Sequence, residues 1–475
     1  MRERFQQLQT AYEAAGQEQV FAFWKKLTPT QRDGLIEDAA AVDLKELGRL
    51  WAQYSKGSQA AVGDMNALMP APFEPVSQNG GDPKRWAQAE RVGKEAISQG
   101  RVACFTVAGG QGTRLGYDGP KGAFPCTVLR KKSLFEIFAE KIRAARMRYG
   151  AAIPWFIMTS RHNHDQTLAF FREHKFFGLG ELNVHFFSQG LMPVVDFNGK
   201  ILLESPDRIA LSPDGHGGSL RAMVRSGAID KMKEMGVDLL SYFQVDNPLI
   251  HCVDPAFVGW HLLGNSQFSS KALVKTDPLE KVGAFCMQNG KMSVIEYSDL
   301  SDELAQKRGA DGKLEFAAGS IAIHIINREL IESLGGAGAQ TLPFHFAKKK
   351  AEFVGKDGEL VFPKEPNAVK FEMFVFDAIG EAKNPIVIET VREEEFSPIK
   401  NAQGVDSPQS SLRDQQRQAA RWLIAAGCDV PVDKEGVPLH PIEISPLFAD
   451  SAEALLEKKD MLQHLDFSKP LYLGK

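Results

Sequence analysis

The feature that most constrains this chain is a short apolar strand that runs directly into a glycine-rich loop. The run Val102–Val107 has the composition of a buried parallel strand, and the loop at 108–122 follows it without a break. A helical pattern of apolar residues begins at Leu134. This order predicts a βα unit whose loop lets the backbone come close to a ligand.

The same alternation continues further along the chain. Apolar runs at 155–158 and 242–245 read as two more strands, and helical patterns lie between the runs. Strands that alternate with helices over about 150 residues predict βαβ units and a mostly parallel sheet. Hairpin signals at 198–199, 289–290 and 357–358 add antiparallel strands. We therefore expect an α/β core around a mixed, mostly parallel sheet.

Helices are expected both before and after this core in the sequence. Residues 28–31 have the form of a capping box, and apolar residues from Leu44 to Tyr54 recur at three- and four-residue spacing. A proline-rich linker at 70–75 precedes another helix, and a further helix is predicted near 415–426. The predicted division is a helical N-terminal domain at 1–98, an α/β domain at 99–400 and a small C-terminal domain at 401–475.

Composition excludes several classes of function. The 475 residues carry 56 basic and 60 acidic side chains, so there is no basic excess to bind nucleic acid. No apolar run approaches the roughly 20 residues of a membrane span, and the N-terminus has no apolar signal core. The five cysteines are scattered without a CxxC pair, which argues against a zinc knuckle or a disulfide scaffold. We expect a cytoplasmic protein without nucleic-acid or membrane partners.

The glycine loop itself predicts a polyphosphate cradle. Gly109 and Gly110 let the backbone approach a ligand, and Arg114 and Lys121 add two positive charges. The dinucleotide fingerprint fails, because Leu115 stands where its third glycine belongs. P-loop, kinase, HExxH and GxSxG signatures are absent from the sequence. The alternative is a tight turn with two solvent-facing cations.

From Ala108 to Gly122 the loop resembles the UDP-sugar pyrophosphorylase family, closest to its eukaryotic-type UDP-N-acetylglucosamine pyrophosphorylase branch. The family pattern L-A-G-G-Q-G-T-R-L-G…P-K-G is matched, with Val107 at the leucine position. Further blocks follow in family order, at 154–160, 187–190, 213–218, 245–247, 282–283, 296–298, 370–377 and 392–401. The resemblance covers most of the chain from about residue 100 to 401.

The resemblance implies a uridylyltransferase that converts UTP and a sugar 1-phosphate into UDP-sugar and pyrophosphate, reversibly, with Mg²⁺. It also implies a Rossmann-like α/β/α nucleotidyltransferase core flanked by the helical and the small C-terminal domain. Carried over position by position, it assigns catalytic roles to Arg114, Lys121 and Lys400, nucleotide contacts to Gly109, Gly110, Gln189, Pro213, Gly215 and His216, sugar contacts to Gly283, Glu296, Phe374 and Phe376, and the metal to Asp246.

Several of these roles have a structural alternative: Gln189, with the following glycine, could form a turn, and His216 could be a structural histidine. Lys400 could be a solvated loop lysine, and Asp246, with the following Asn-Pro, could serve as a turn or helix cap. The alternating Phe374 and Phe376 are also what a buried strand shows. Two positions depart from the branch: His216 replaces its usual asparagine and resembles the UDP-glucose branch, and Ala317 replaces an asparagine expected to reach the sugar.

The leading hypothesis is therefore a UTP-dependent uridylyltransferase that uses N-acetylglucosamine 1-phosphate. The alternatives are a glucose 1-phosphate enzyme or a broad UDP-sugar pyrophosphorylase. Two further alternatives belong to other classes of function: an NAD-dependent oxidoreductase and a non-catalytic nucleotide-sugar sensor. Retention of Arg114, Lys121, Asp246 and Lys400 together favours activity, because a sensor does not need transfer-specific cations.

Overall fold

The computed structural model describes residues 2–57, 67–336 and 342–474. The α-helices of these residues are, in chain order, α1 (Arg2–Ala14), α2 (Pro29–Ala41), α3 (Leu44–Ser55), α4 (Pro83–Ser98), α5 (Leu134–Tyr149), α6 (His164–Glu173), α7 (Gly218–Arg225), α8 (Ala228–Glu234), α9 (Pro255–Leu263), α10 (Asp302–Gln306), α11 (Arg328–Gly335), α12 (Arg392–Glu395), α13 (Pro408–Ala425) and α14 (Ala452–Leu456).

The strands of the same residues are β1 (Met69–Pro70), β2 (Val102–Val107), β3 (Trp155–Thr159), β4 (Val184–Ser188), β5 (Leu191–Pro193), β6 (Val195–Asp196), β7 (Leu203–Ser205), β8 (Arg208–Ile209), β9 (Leu211–Pro213), β10 (Leu239–Gln244), β11 (Phe268–Val274), β12 (Ala284–Gln288), β13 (Lys291–Ile295), β14 (Ala318–Asn327), β15 (His345–Lys349), β16 (Phe353–Val354), β17 (Leu360–Val361), β18 (Ala368–Glu372), β19 (Ile386–Glu389), β20 (Ile442–Ile444) and β21 (Leu471–Leu473).

The chain divides into two compact units, each built from separate stretches. The small unit takes the described residues of Met1–Met65, Gln189–Arg221 and Thr341–Asp377. The sheet unit takes those of Asn66–Ser188, Ala222–Gln340 and Ala378–Lys475. These units group the residues differently from the three predicted domains, and that three-domain division stays a prediction.

One mixed sheet of ten strands forms the centre of the sheet unit. Strands β10, β2, β3 and β4 lie side by side and parallel, and β14 pairs antiparallel with the other side of β10. Strands β1, β11, β12, β13 and β19 extend the sheet beyond β14. The predicted α/β core around a mixed sheet is confirmed. Because the parallel strands share one direction, the glycine loop after β2 and the polar turn after β10 leave the same edge of the sheet.

Helices α4, α5 and α9 cover one face of this sheet with a continuous apolar core. Phe138 and Trp155 are fully buried there, as continuous apolar strands require. Helices α4 and α9 cross at two glycines: a Cβ on Gly93 would lie 1.8 Å from the Pro255 carbonyl oxygen, and one on Gly259 would lie 1.6 Å from that of Ala89. Only glycine therefore permits this helix spacing.

The C-terminal residues of the sheet unit form a small module of their own. Helix α13 packs on the parallel pair β20–β21, and the Gln416 side chain makes two hydrogen bonds to the backbone of Ile442. The module also touches the segment that follows the glycine loop. The Glu443 carboxylate accepts the backbone N–H groups of Leu129 and Arg130 at 2.7 and 2.9 Å.

The small unit joins the N-terminal helices to short antiparallel ribbons. Its strands form the sets β15-β18-β6, β5-β9, β7-β8 and β16-β17. The buried Gln17 side chain donates to the Gly199 carbonyl oxygen at 2.8 Å and accepts the Ile201 N–H at 2.8 Å. Glu46 on α3 binds Arg221 through two hydrogen bonds, at 2.8 and 3.1 Å. No helix among the described residues is long and apolar enough to cross a bilayer.

Candidate active site

The glycine loop folds back on itself through its own backbone. The Gly112 N–H donates to the Gly119 carbonyl oxygen at 2.9 Å, and the Lys121 N–H donates to that of Gly110 at 3.1 Å. Gly116 and Gly119 have positive φ, which favours glycine at both positions. The N–H groups of Gly109 and Gly110 have no hydrogen-bond partner among the described residues. They are therefore available to an anionic ligand.

This folding brings the predicted cation Lys121 to the predicted metal ligand Asp246. Lys121 Nζ lies 3.3 Å from Asp246 Oδ2, and both side chains are largely buried. Asp246 follows β10 and Lys121 follows β2, so the parallel pairing of these strands explains the meeting. The predicted turn interaction belongs to the next residue, because the Asn247 side chain accepts the Leu249 N–H at 3.3 Å. The Asp246 carboxylate contacts the lysine instead.

The segment that carries Lys400 is fixed to the same end of β10. The Ile399 N–H donates to the Asp246 carbonyl oxygen at 2.8 Å. The side chain of Asn247 donates to the Glu395 carbonyl oxygen at 2.7 Å and accepts the Ser397 N–H at 3.1 Å. Lys400 itself is half-buried, with its Nζ 5.8 Å from the centre of the Phe396 ring. Its backbone is thus held beside Asp246 rather than in a free loop.

Arg114 differs from the two lysines in its surroundings. It lies in a short 3-10 turn at Thr113–Leu115, is exposed, and forms no ion pair among the described residues. The structure therefore gathers Lys121, Asp246 and the Lys400 segment, and leaves Arg114 free at the outer part of the loop.

Two predicted sugar contacts of the sheet unit also meet. A Cβ placed on Gly283 would lie 3.6 Å from Glu296 Oε1, so the carboxylate borders this glycine. The Ser320 N–H donates to the Gly283 carbonyl oxygen at 2.7 Å. Ala317, where the family asparagine is missing, lies one residue before β14 and accepts the Lys275 N–H at 2.8 Å. The departure from the family therefore falls just before β14, the strand whose Ser320 contacts Gly283.

In the small unit, the predicted nucleotide contacts form a wall of backbone. Gln189 donates its side-chain amide to the Gly215 carbonyl oxygen at 3.0 Å. The Gly217 N–H donates to the Met373 carbonyl oxygen, and the Met373 N–H donates to that of Asp214, both at 2.8 Å. A Cβ on Gly215 would come within 2.3 Å of the Met373 carbonyl oxygen, so this glycine is required by close packing. Pro213 precedes this wall at the end of β9, where it is exposed.

His216 lies in this wall as a neutral ring. Burial, and then the nearby His345, lower its pKa to about 4. Its Nδ1 accepts the Val375 N–H at 3.1 Å, so the proton of the neutral ring is on Nε2. Phe374 stacks on His216 with ring centres 5.3 Å apart, and Phe376 lies 5.7 Å away. Both phenylalanines lie after β18, so the alternative of a buried strand is wrong for them.

The chemistry of Asp246 suits a divalent cation. One carboxylate oxygen faces Lys121, and the other has no hydrogen-bond partner among the described residues. Mg²⁺ is commonly held by one or two carboxylates and otherwise by water and substrate phosphates. The residues present therefore fit this ion.

A second group of possible metal ligands already holds a cation of the protein. His251, Asp254 and Glu395 lie close enough together to ligate one ion. The ammonium group of Lys271 lies 2.5 Å from Asp254 and 2.6 Å from Glu395. Burial opposes its charge, but the two carboxylates outweigh burial and raise the pKa of Lys271. This buried network was not predicted; its signal was a lysine in the middle of the buried strand β11.

In the sheet unit a glycine-rich loop follows a parallel strand, and a lysine of this loop meets a carboxylate at the end of the neighbouring strand. This is the architecture of a nucleotidyltransferase. Comparison with known proteins narrows this class. Residues 64–421 match the model of the family described as UTP–glucose-1-phosphate uridylyltransferase. The chain belongs to this family of uridylyltransferases, which confirms the predicted family and enzyme class.

Relatives resemble the chain over most of its length. The human UDP-N-acetylhexosamine pyrophosphorylase-like protein 1 is 36% identical, covering 99% of this chain and 97% of the human protein. The UDP-N-acetylglucosamine pyrophosphorylase of Saccharomyces cerevisiae is 35% identical, over 94% of this chain and 95% of its own. The crystal structure of the Trypanosoma brucei UDP-N-acetylglucosamine pyrophosphorylase, solved with an inhibitor, superposes with a TM-score of 0.84 at 26% identity, over 100% and 99% of the two chains.

Proposed function

We propose that this protein forms UDP-N-acetylglucosamine and pyrophosphate from UTP and N-acetylglucosamine 1-phosphate. The observation that carries the proposal is the meeting of Lys121, Asp246 and the Lys400 segment at the end of β10. The names of the yeast and trypanosomal relatives support N-acetylglucosamine as the sugar. Membership of a uridylyltransferase family argues against the oxidoreductase alternative.

The reaction needs no protein nucleophile. An oxygen of the sugar phosphate attacks the α-phosphorus of UTP, and the bond from this phosphorus to the bridging oxygen breaks as pyrophosphate leaves. Such transfers are catalysed mainly by positioning and by neutralising charge on the phosphates. In the proposed mechanism Lys121 and Lys400 neutralise the transferring and leaving phosphates, and Arg114, exposed on the glycine loop, binds the outer phosphates. The N–H groups of Gly109 and Gly110, which have no partner in the part of the chain that the structure describes, hold the nucleotide.

Asp246 is proposed to hold Mg²⁺ when the ion and UTP are bound. The ion would supply charge neutralisation on the phosphate oxygens. The aspartate also orients Lys121 through their contact of 3.3 Å, so one carboxylate serves both cations. Cytoplasmic localisation, and the absence of nucleic-acid and membrane partners, stay predictions.

The sugar pocket is proposed to be less selective than in the relatives. The methyl group of Ala317 cannot form the hydrogen bond that the family asparagine offers, and its loss introduces no clash against another sugar. Among the predicted nucleotide contacts of the small unit, the neutral His216 offers an Nε2–H donor where the branch usually has an asparagine. We expect a preference for N-acetylhexosamine 1-phosphates, with measurable turnover of glucose or galactose 1-phosphate.

Pyrophosphate release is the direct test. The purified protein is incubated with Mg²⁺, one nucleoside triphosphate and each of a panel of sugar 1-phosphates. We expect UTP to exceed ATP by up to about 10⁴-fold, because a site matched to the uracil edge leaves polar groups unpaired with another base. Strict use of glucose 1-phosphate would favour the alternative substrate. Binding of UTP without any turnover would favour the sensor.

A further inference from the structure

Helix α13 lays one face along the segment that leads to Lys400. Its contacting side chains are spaced three or four residues apart, as one helical face requires. They reach residues 393–397 through eight hydrogen bonds, from Ser411, Asp414, Gln418, Arg421 and Trp422. This helix lies outside the glycine loop and the strand ends where the reacting groups are proposed to stand.

Ser397, three residues before Lys400, is held through all of its polar groups. Its N–H donates to Asn247 Oδ1 at 3.1 Å. Its hydroxyl donates to Asp414 Oδ2 at 2.7 Å, and its carbonyl oxygen accepts the Ser411 hydroxyl at 3.0 Å. With 5% of its surface exposed, the residue has little room to move. Two separate elements, helix α13 and the turn after β10, therefore hold Ser397 by hydrogen bonds.

The next residues carry this constraint to the lysine. The Ile399 N–H donates to the Asp246 carbonyl oxygen at 2.8 Å, and Pro398 between the two fixed residues restricts the backbone further. Lys400 follows directly. The position of its backbone relative to Asp246 is therefore defined by contacts at 397 and 399.

The same helix also contacts the segment that carries Lys121. Gln415, adjacent to Asp414, donates its side-chain amide to the Cys126 carbonyl oxygen at 2.9 Å. Cys126 lies five residues after Lys121. Two consecutive residues of α13 thus contact the two segments that bear the proposed catalytic lysines.

We propose that α13 sets the spacing between Lys121 and Lys400, with Asp414 as a positioning residue for Lys400. The inference rests on the proposed function, because it requires Lys400 to act on the transferring phosphates. Asp414 is not among the groups proposed to touch the substrates, and its other partner among the described residues is Arg417 on the same helix, at 3.5 Å. Its effect on turnover therefore passes through Ser397 and Lys400.

A double-mutant cycle separates positioning from a general loss of structure. The variants are Asp414→Ala, Lys400→Ala and the two combined, assayed with UTP and N-acetylglucosamine 1-phosphate. Asp414→Ala should lower kcat by up to about a hundredfold, because a displacement near 1 Å has an effect of that size. The KM for UTP should change little. In the Lys400→Ala background the same substitution should have no further effect on kcat.

Controls make the result specific. Asp414→Asn keeps an acceptor for the Ser397 hydroxyl and should recover most of kcat, whereas Gln409→Ala, at an exposed position of the same helix, should match the wild type. If Asp414→Ala does not fold, Ser411→Ala enters the same cycle, since it removes a single hydroxyl. An equal proportional loss in both backgrounds overturns the positioning role and leaves the proposed function intact. Normal kcat in Lys400→Ala overturns the positioning role together with the catalytic role of Lys400, whereas a wild type without turnover of these substrates overturns the proposed function.

Discussion

The buried histidine of α9 offers a quantitative test of how this fold responds to acid. His261 is 1% exposed, and its ring is hydrogen-bonded on both sides. Nδ1 lies 2.8 Å from Ser269 Oγ, and Nε2 lies 2.8 Å from Asn327 Oδ1. The Asn327 amide donates to the Ser266 carbonyl oxygen at 3.3 Å, which leaves its oxygen to face the ring. This arrangement satisfies a neutral histidine with its proton on Nε2.

The pKa shift gives the size of the effect. Burial lowers the pKa of His261 from 6.5 to about 4. Between these values the unfolded chain binds a proton that the folded protein does not, so stability falls as pH falls through this window. From about pH 7.5 to pH 5 the loss amounts to about 2 kcal/mol for this residue, and it approaches about 3 kcal/mol below pH 4.

The assay compares urea unfolding of the wild type and His261→Gln at a series of pH values. The variant loses stability at every pH, because the glutamine cannot satisfy both partners. Its free energy of unfolding should nevertheless fall by about 2 kcal/mol less than that of the wild type between pH 7.5 and pH 5. His464→Gln, at an exposed histidine, serves as the control and should retain the wild-type slope. Parallel curves for wild type and His261→Gln would refute the buried neutral histidine.

Three substitutions test single residues of the candidate site. Lys400→Ala should lower kcat by about a hundred- to thousandfold at an unchanged melting temperature, with the exposed Lys434→Ala as control; near-normal kcat would contradict its role. Asp246→Asn should raise the Mg²⁺ concentration that gives the half-maximal rate, and an unmoved curve would make Asp246 a structural residue. Ala317→Asn should increase the ratio of kcat/KM for N-acetylglucosamine 1-phosphate to that for glucose 1-phosphate. The expected increase corresponds to one hydrogen bond, about 0.5–1.5 kcal/mol. An unchanged ratio would show that this position does not reach the sugar.

Local patterns were sufficient to predict much of the core. The apolar run at 102–107 coincides with β2, and the capping box at Thr28 begins α2 with both of its reciprocal hydrogen bonds. The Asn-Gly pair at 289–290 joins β12 to β13 as predicted. These elements are specified by residues close in sequence, so periodicity and turn chemistry reveal them.

The site could be predicted only as far as single segments. The glycine loop and Asp246 each stand at the end of an apolar strand, and that position made them candidates. Ser397 is hydrogen-bonded to Asn247, which lies 150 positions before it, and to Asp414, which lies 17 positions after it. No local sequence pattern encodes such pairings. Phe374 and Phe376 show the reverse case: their alternation resembles that of a strand, but both residues follow β18, and their rings lie beside that of His216.

The three-part origin of the small unit has a consequence for synthesis on the ribosome. Glu46 on helix α3 pairs with Arg221, which is made 175 residues later. At about 5–20 residues per second, that interval lasts about 9–35 seconds. The strands β15 and β18 of the same unit are made later still. The N-terminal helices therefore stay without these later partners through much of translation.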